Sequence, residues 1–319
     1  MKCALICGIS GQDGSYLAKF LHNKGYEVYG TSRDAQTTTF TNLKKIEIFD
    51  SVKLESMAIH DFRSVLQVLM KVKPDEVYNL AGLTSVSLSF QQPVETIESN
   101  LMGTLTLLEA IRFSGAKIKF YNACSSECFG DTALEAAIEV TPFRPRSPYA
   151  VSKAAAFWQV INYRDAYGIF ACSGILFNHE SPLRPERFVT KKIISAVYRI
   201  AQGLQDHLYL GNLTIQRDWG WAPDYVEAMW LMLQQKQPDD FIIATGKTHS
   251  LLEFVDVAFK CVGLEWEKYV SQDEKLIRPT DIAISKANPK KARDKLAWTA
   301  NHDMKDVINK MIQSEFHQN

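Results

Sequence analysis

The chain has 319 residues, of which 46% are hydrophobic and 23% charged, and 36 Lys and Arg balance 36 Asp and Glu. That composition excludes disorder, and a formal net charge of 0 excludes a global basic field that would draw nucleic acid or an anionic membrane. No stretch reaches the roughly 20 apolar residues of a membrane span and no signal-peptide pattern opens the chain, so a cytoplasmic protein is expected. Five short apolar runs read as strands: Cys3–Cys7, Glu27–Gly30, Glu76–Leu80, Ile118–Asn122 and Phe170–Leu176. Four helical patterns alternate with them: Gly14–Lys24, Phe62–Val72, Pro93–Phe113 and Pro148–Tyr167. The alternation predicts an α/β fold with a doubly wound parallel Rossmann sheet over residues 1–175. From residue 176 to 319 the pattern changes to helices at Phe188–Gln202, Pro223–Gln235, Leu251–Cys261 and Met304–Ser314, with short strands at Leu208–Leu210 and Phe241–Ala244. A smaller mixed α/β substrate domain is expected there, with some chain returning to the Rossmann sheet and a ligand cleft between the halves.

The chemistry starts at the first turn. Gly8-Ile9-Ser10-Gly11-Gln12-Asp13-Gly14 follows a strand and opens a helix. Gly8 serves a tight turn, Gly11 lets a pyrophosphate approach the backbone, and Gly14 permits close helix–strand packing. The free N–H groups of the helix then receive the anion. A dinucleotide is the expected cofactor. Arg33, just past the second strand, suits a 2′-phosphate and favours NADP over NAD. Tyr149 and Lys153 sit at Tyr-xxx-Lys spacing on one helix face, where an ammonium stabilises a phenolate and makes Tyr149 a general base. Ser125 lies at the carboxyl end of a predicted strand, where α/β sheets bind ligands, and can hydrogen-bond a substrate hydroxyl. Glu127 follows two residues later. A plain dehydrogenase has no need of a carboxylate there, whereas a reaction that deprotonates a carbon acid does.

Cys3 with Cys7 and Cys124 with Cys128 lack zinc spacing and a neighbouring His, so buried thiols and no metal site are expected. His179 is expected to be packed or hydrogen-bonded rather than ligating. Trp219, Trp221 and Trp230 are expected in core and cleft wall.

Motifs along nearly the whole chain are similar to those of the GDP-mannose 4,6-dehydratase family, extended short-chain dehydrogenases/reductases. They are Gly8–Leu17 (GISGQDGSYL), Asp75–Ala81 (DEVYNLA), Ser126–Gly130 (SECFG), Ser147–Lys153 (SPYAVSK), Leu176–Pro182 (LFNHESP), Arg187–Ile193 (RFVTKKI) and Arg217–Gly220 (RDWG). The resemblance implies that Ser125, Glu127, Tyr149 and Lys153 are catalytic. It implies that Asp61 and Phe62 contact adenine, that Leu80 and Ala81 line the cofactor site, and that Asn178, Val189, Lys192, Arg217 and Arg278 hold a GDP-sugar. The implied reaction is an NADP-dependent internal redox dehydration of GDP-mannose to GDP-4-keto-6-deoxymannose. Rivals are a GDP-4-keto-6-deoxymannose reductase, a dehydratase of a GDP-heptose and, more remotely, a non-catalytic nucleotide sensor. Family members assemble as homo-oligomers; a short loop beyond Asp34 leaves dimer and tetramer both open. Phe129, Pro185 and Trp221 depart from the family pattern.

Overall fold

The computed structural model describes residues 1–318. The sheet strands are β1 (Cys3–Cys7), β2 (Glu27–Ser32), β3 (Lys53–Ser56), β4 (Glu76–Asn79), β5 (Lys119–Ser125) and β6 (Ala171–Leu176). Short strands follow at β7 (Asn178–Glu180), β8 (Leu208–Leu210), β9 (Gln216–Arg217), β10 (Trp219–Trp221), β11 (Phe241–Ile243), β12 (His249–Ser250) and β13 (Val270–Gln272). Seven of these form one parallel sheet in the order β11-β6-β5-β4-β1-β2-β3. β1 is buried at all five positions, as a strand covered on both faces must be.

The helices are α1 (Gln12–Asn23), α2 (Thr41–Lys45), α3 (Phe62–Val72), α4 (Val86–Gln91), α5 (Pro93–Ile97) and α6 (Gly103–Ser114). They continue with α7 (Pro148–Tyr167), α8 (Val189–Ala201), α9 (Ala222–Gln234), α10 (Leu251–Lys260), α11 (Lys290–Leu296) and α12 (Met304–Gln318). One apolar cluster joins β1 and β4 to α3, α6 and α7 through Leu5, Val65, Leu69, Val77, Leu107 and Val160. Another joins the sheet to α1 and α9 through Ile6, Leu17, Leu21, Tyr225 and Met229. The sheet is therefore covered on two sides.

Several short elements were absent from the sequence reading, and two differences bear on the site. β3 was not foreseen: Lys-Leu-Glu-Ser is a short edge strand with no fully buried position, so it lacks the apolar run that marked its neighbours. The helix expected over Pro93–Phe113 is interrupted by a π turn at Glu98–Met102. There Asn100 Nδ2 donates to Leu83 O at 3.0 Å and Ser152 Oγ at 3.1 Å, tying this turn to α7.

The second core lies between α8, α10 and α12, where Ile193, Trp219, Phe254, Phe259, Ile308 and Met311 pack together. The chain does not stay on that side. β11 pairs with β6, and α9 packs on α1, so residues from the second half complete the sheet. No helix among the described residues is long and apolar enough to cross a membrane.

Candidate functional site

The glycine turn takes the form its residues require. Gly8 has φ +83°, and a Cβ there would lie 2.8 Å from Leu80 O. A Cβ on Gly14 would meet Gly8 O at 2.4 Å and Ile9 Cα at 2.7 Å, so only glycine lets α1 sit this close to β1. At Gly11 a Cβ would meet nothing nearer than Gly8 O at 3.4 Å, which leaves the backbone open to a ligand.

Two cavities meet above the carboxyl ends of the strands and share Leu80, Thr84 and Arg187 as walls. The larger, about 1090 Å³, is lined by Gly8, Ser10, Gly11, Arg33 and Ala81. It begins between β1 and β4, where strand order reverses and such sheets bind dinucleotides. Arg33 is 83% exposed there, with Glu95 Oε1 3.7 Å away. Gln12, Asp13, Asp61 and Phe62 do not line this cavity. Asp61 instead caps α3, its Oδ1 accepting from Ser64 N at 2.6 Å. Phe62 meets Phe113 edge-on at 5.9 Å. The neighbouring wall is Met57, Ile59 and His60, with Thr31, Ser32 and Thr38 beside Arg33. Sequence reasoning missed these. The exit of β3, once recognised, would have pointed to residues 57–60.

Gln12 and Asp13 join the glycine turn to the second half. Gln12 Nε2 donates to His179 O at 3.1 Å and its Oε1 accepts from Ser181 Oγ at 2.8 Å. His179 Nε2 lies 2.9 Å from Asp13 Oδ2, its Nδ1 lies 2.7 Å from Phe177 O, and its ring stacks on Tyr225. Both ring nitrogens are thus engaged, as expected for a packed histidine. Among the described residues no cluster of His, Cys, Asp and Glu is arranged to hold a metal. Burial opposes both charges, but their mutual attraction wins: His179 titrates above its ordinary 6.5 and Asp13 below 3.8. The pair's contribution is full between those ordinary values. It is lost as pH rises through the raised value of His179, or falls through the lowered value of Asp13. In thermal melts, the advantage of the wild type over Asp13→Asn is expected to shrink as pH rises above 6.5 through the raised value of His179. A constant difference would show that the pair is uncharged.

The smaller cavity, about 340 Å³, brings together Ser125, Glu127, Tyr149, Lys153, Asn178, Val189, Lys192, Arg217 and Arg278. Asp13 also lines it. Ser125 ends β5, and its Oγ accepts from Glu127 N at 3.3 Å, opening a tight turn that carries Glu127 into the cleft. Ser147 caps α7 by accepting from Ala150 N at 3.1 Å, and Pro148 occupies the first helical turn. The cap fixes where Tyr149 and Lys153 project. Lys153 Nζ donates to Ala123 O at 2.8 Å and lies 6.0 Å from the Tyr149 ring centre.

Electrostatics divide these groups. Burial pushes the Tyr149 phenol up, while a hydrogen bond with Ser125 pulls it down. Burial lowers Lys153. Burial raises Glu127, whereas Arg217 and Arg278 pull it down; the net shift is upward. A carboxyl held above its usual range in the same cavity as a Tyr–Lys pair is suited to giving and taking a proton. Cys124 and Cys128 lie beneath this site with sulfurs 3.6 Å apart, both buried. Trp219 is core and cleft wall, Trp221 is half-buried beside His302, and Trp230 packs edge-on against Phe20.

A Rossmann sheet, a glycine turn at its switch point and a Ser-Tyr-Lys set beside a second cavity define an extended short-chain dehydrogenase/reductase. The chain belongs to the GDP-mannose 4,6-dehydratase family, whose model matches residues 5–311. It is 47% identical to GDP-mannose 4,6 dehydratase 1 of Arabidopsis thaliana, over 98% of this chain and 90% of that protein. Its fold is similar to that of dTDP-glucose 4,6-dehydratase from Bacillus anthracis in complex with NAD (TM-score 0.86, 19% identity, 100% and 97% of the two chains). It is also similar to RMD from Pseudomonas aeruginosa complexed with NADPH (TM-score 0.83, 22% identity, 100% of both chains).

Proposed function

We propose that the protein converts GDP-mannose to GDP-4-keto-6-deoxymannose with NADP as its nicotinamide cofactor. The observation that carries this reading is Glu127, a half-buried carboxyl sharing one cavity with Tyr149, Lys153, Arg217 and Arg278. The open backbone at Gly11 and the neighbouring helix N-terminus suit a dinucleotide's phosphates. Gly8, Ser10, Gly11, Arg33, Leu80 and Ala81 would hold it, and Arg33 favours a 2′-phosphate. A nicotinamide held there would supply the hydride acceptance and return that an internal redox reaction requires.

The chain's own residues move the protons. Tyr149 takes the proton of the C4 hydroxyl, which Ser125 orients. Lys153, one turn further on the helix, supplies the positive charge that favours the phenolate. The C4 ketone acidifies C5–H. Glu127 removes that proton and delivers one to the C6 hydroxyl, which leaves as water; when C6 is reduced, the proton that Tyr149 took up returns to the substrate at C5. Arg217 and Arg278 pair with the diphosphate, while Asn178, Val189 and Lys192 contact the rest of the nucleotide. Asp13 borders both the glycine turn and this cavity, so it steadies the cofactor loop through His179 rather than through a ligand contact. A homo-oligomer is part of the proposal, supported by exposed Phe113, Val151, Trp158 and Tyr167 on α6 and α7.

The test is to incubate the purified protein with GDP-mannose and a small amount of NADP and to read product mass. Loss of one water with no net reduction of NADP is the expected result. Unchanged GDP-mannose with the cofactor bound would move the reading to a GDP-heptose. Net oxidation of NADPH by a 4-keto sugar nucleotide would move it to the reductase.

A further inference from the structure

We propose that Arg187 couples the binding of a dinucleotide in the larger cavity to the binding of a sugar nucleotide in the smaller one; this rests on the reading of the two cavities as cofactor and substrate sites. The cavities have three wall residues in common, Leu80, Thr84 and Arg187. Of these only Arg187 carries a charge. It therefore borders both chambers in which a phosphate-bearing ligand would lie.

The backbone puts Arg187 there. Ser181 Oγ donates to Gln12 Oε1 at 2.8 Å, which ties the start of its segment to the glycine turn. Leu183 N donates to Ser181 Oγ at 3.1 Å and Arg184 N donates to Ser181 O at 3.0 Å, so the chain turns sharply after this anchor. Phe188 N donates to Pro185 O at 3.0 Å, a second turn that contains Arg187. That turn leads into α8, where Val189 and Lys192 line the smaller cavity. The segment thus runs from the cofactor loop to the substrate side, with Arg187 between them.

The charges along this segment leave the Arg187 cation to a ligand. Glu180 Oε2 is 3.1 Å from Arg184 Nε, and Glu186 Oε1 is 2.7 Å from Arg199 NH1, so both neighbouring acids are engaged by other arginines. Among the described residues no carboxylate forms an ion pair with Arg187, which is exposed. Arg184 and Arg187 lie against the Phe188 ring, 3.9 Å and 5.1 Å from its centre. A ring face steadies a guanidinium without using its N–H donors. Two phosphate-bearing ligands on either side of one wall repel each other. A cation on that wall offsets the repulsion, so its effect is largest when both ligands are bound. By linkage, each ligand then changes the affinity of the other by the same factor. An internal redox reaction needs both ligands in place at once, which such coupling favours.

The experiment measures the Kd for GDP by calorimetry, with and without saturating NADP, in the full-length wild type, Arg187→Ala and Arg187→Lys. GDP carries no sugar, so nothing turns over. The ratio of the Kd without NADP to the Kd with NADP is expected to be about fivefold lower in Arg187→Ala than in the wild type. Arg187→Lys keeps the charge and should hold most of the wild-type ratio. Titrating NADP with and without saturating GDP should return the same ratio for each protein. Raising the salt concentration should bring the wild-type ratio toward that of Arg187→Ala, because the group is exposed and its effect is electrostatic. An equal ratio in the wild type and Arg187→Ala would overturn the proposal, even if alanine weakens GDP or NADP alone, because Arg187 would then act on the ligands separately. A ratio in Arg187→Lys as low as in Arg187→Ala would overturn it too. A wild type that fails to bind GDP or NADP overturns the reading of the cavities themselves, before any variant is compared.

Discussion

Glu127→Gln is expected to lower turnover of GDP-mannose by ~10² or more while leaving GDP and cofactor binding intact. Gln keeps the volume and one acceptor oxygen of Glu but carries no proton between C5 and the C6 hydroxyl. Removal of the C4 hydroxyl proton is assigned to Tyr149, so the variant should still oxidise C4 and stall there. A single-turnover experiment should therefore show reduced cofactor accumulating without release of water. The pH dependence gives a second reading. Burial lifts Glu127 above its ordinary 4.5, against the pull of Arg217 and Arg278. The base must be ionised, so wild-type activity should fall on the acid side as pH drops through that raised value. The residual activity of the Gln variant should lack this limb. Near-normal turnover would remove Glu127 from the proton path and return it to a charge favoured at the start of a short turn.

Much of this site was legible because its chemistry is local in sequence. The glycine turn needs three residues within seven positions; Gly8 and Gly14 prove to be demanded by a close contact or a dihedral angle, while Gly11 leaves its backbone open. Tyr149 and Lys153 share a helix face by spacing alone, and Glu127 follows a strand end that predicts proximity to them. What sequence reasoning missed depends on contacts across the chain. One wall of the larger cavity is built from Met57, Ile59 and His60, which follow an edge strand too polar to announce itself. Asp61 and Phe62 lie one step further along, committed to a helix cap and an aromatic pair. Asp281 is an ordinary acid three residues after an arginine in sequence. Its ion pair with Arg217 appears only once β9 and residues 283–285 are laid side by side. Lys153 shows a subtler difference. Spacing places it near Tyr149, but its ammonium is held by Ala123 O, and burial dominates the titration of both groups.

Tyr149→Phe is expected to lower kcat by ~10²–10⁴, the range for loss of a positioned acid–base group. The ring is 8% exposed, and Phe retains its packing against the cleft wall, so cofactor and GDP binding should change little. Unlike Glu127→Gln, this variant should fail before any cofactor is reduced, because the C4 hydroxyl keeps its proton. The two variants therefore separate the two halves of the reaction: one halts at the ketone and the other never reaches it. Burial also decides the pH behaviour. The phenol is pushed above its ordinary 10.0, with Ser125 opposing, so only a small fraction is ionised at neutral pH in the empty cleft. Wild-type kcat/KM should then climb with pH on the alkaline side, and the Phe variant should show no such climb. Ser125 would lose its phenol partner in the variant, and its hydroxyl alone cannot replace a base. Reduced cofactor appearing at the wild-type rate in Tyr149→Phe would transfer the proton-accepting role to another group in the cavity.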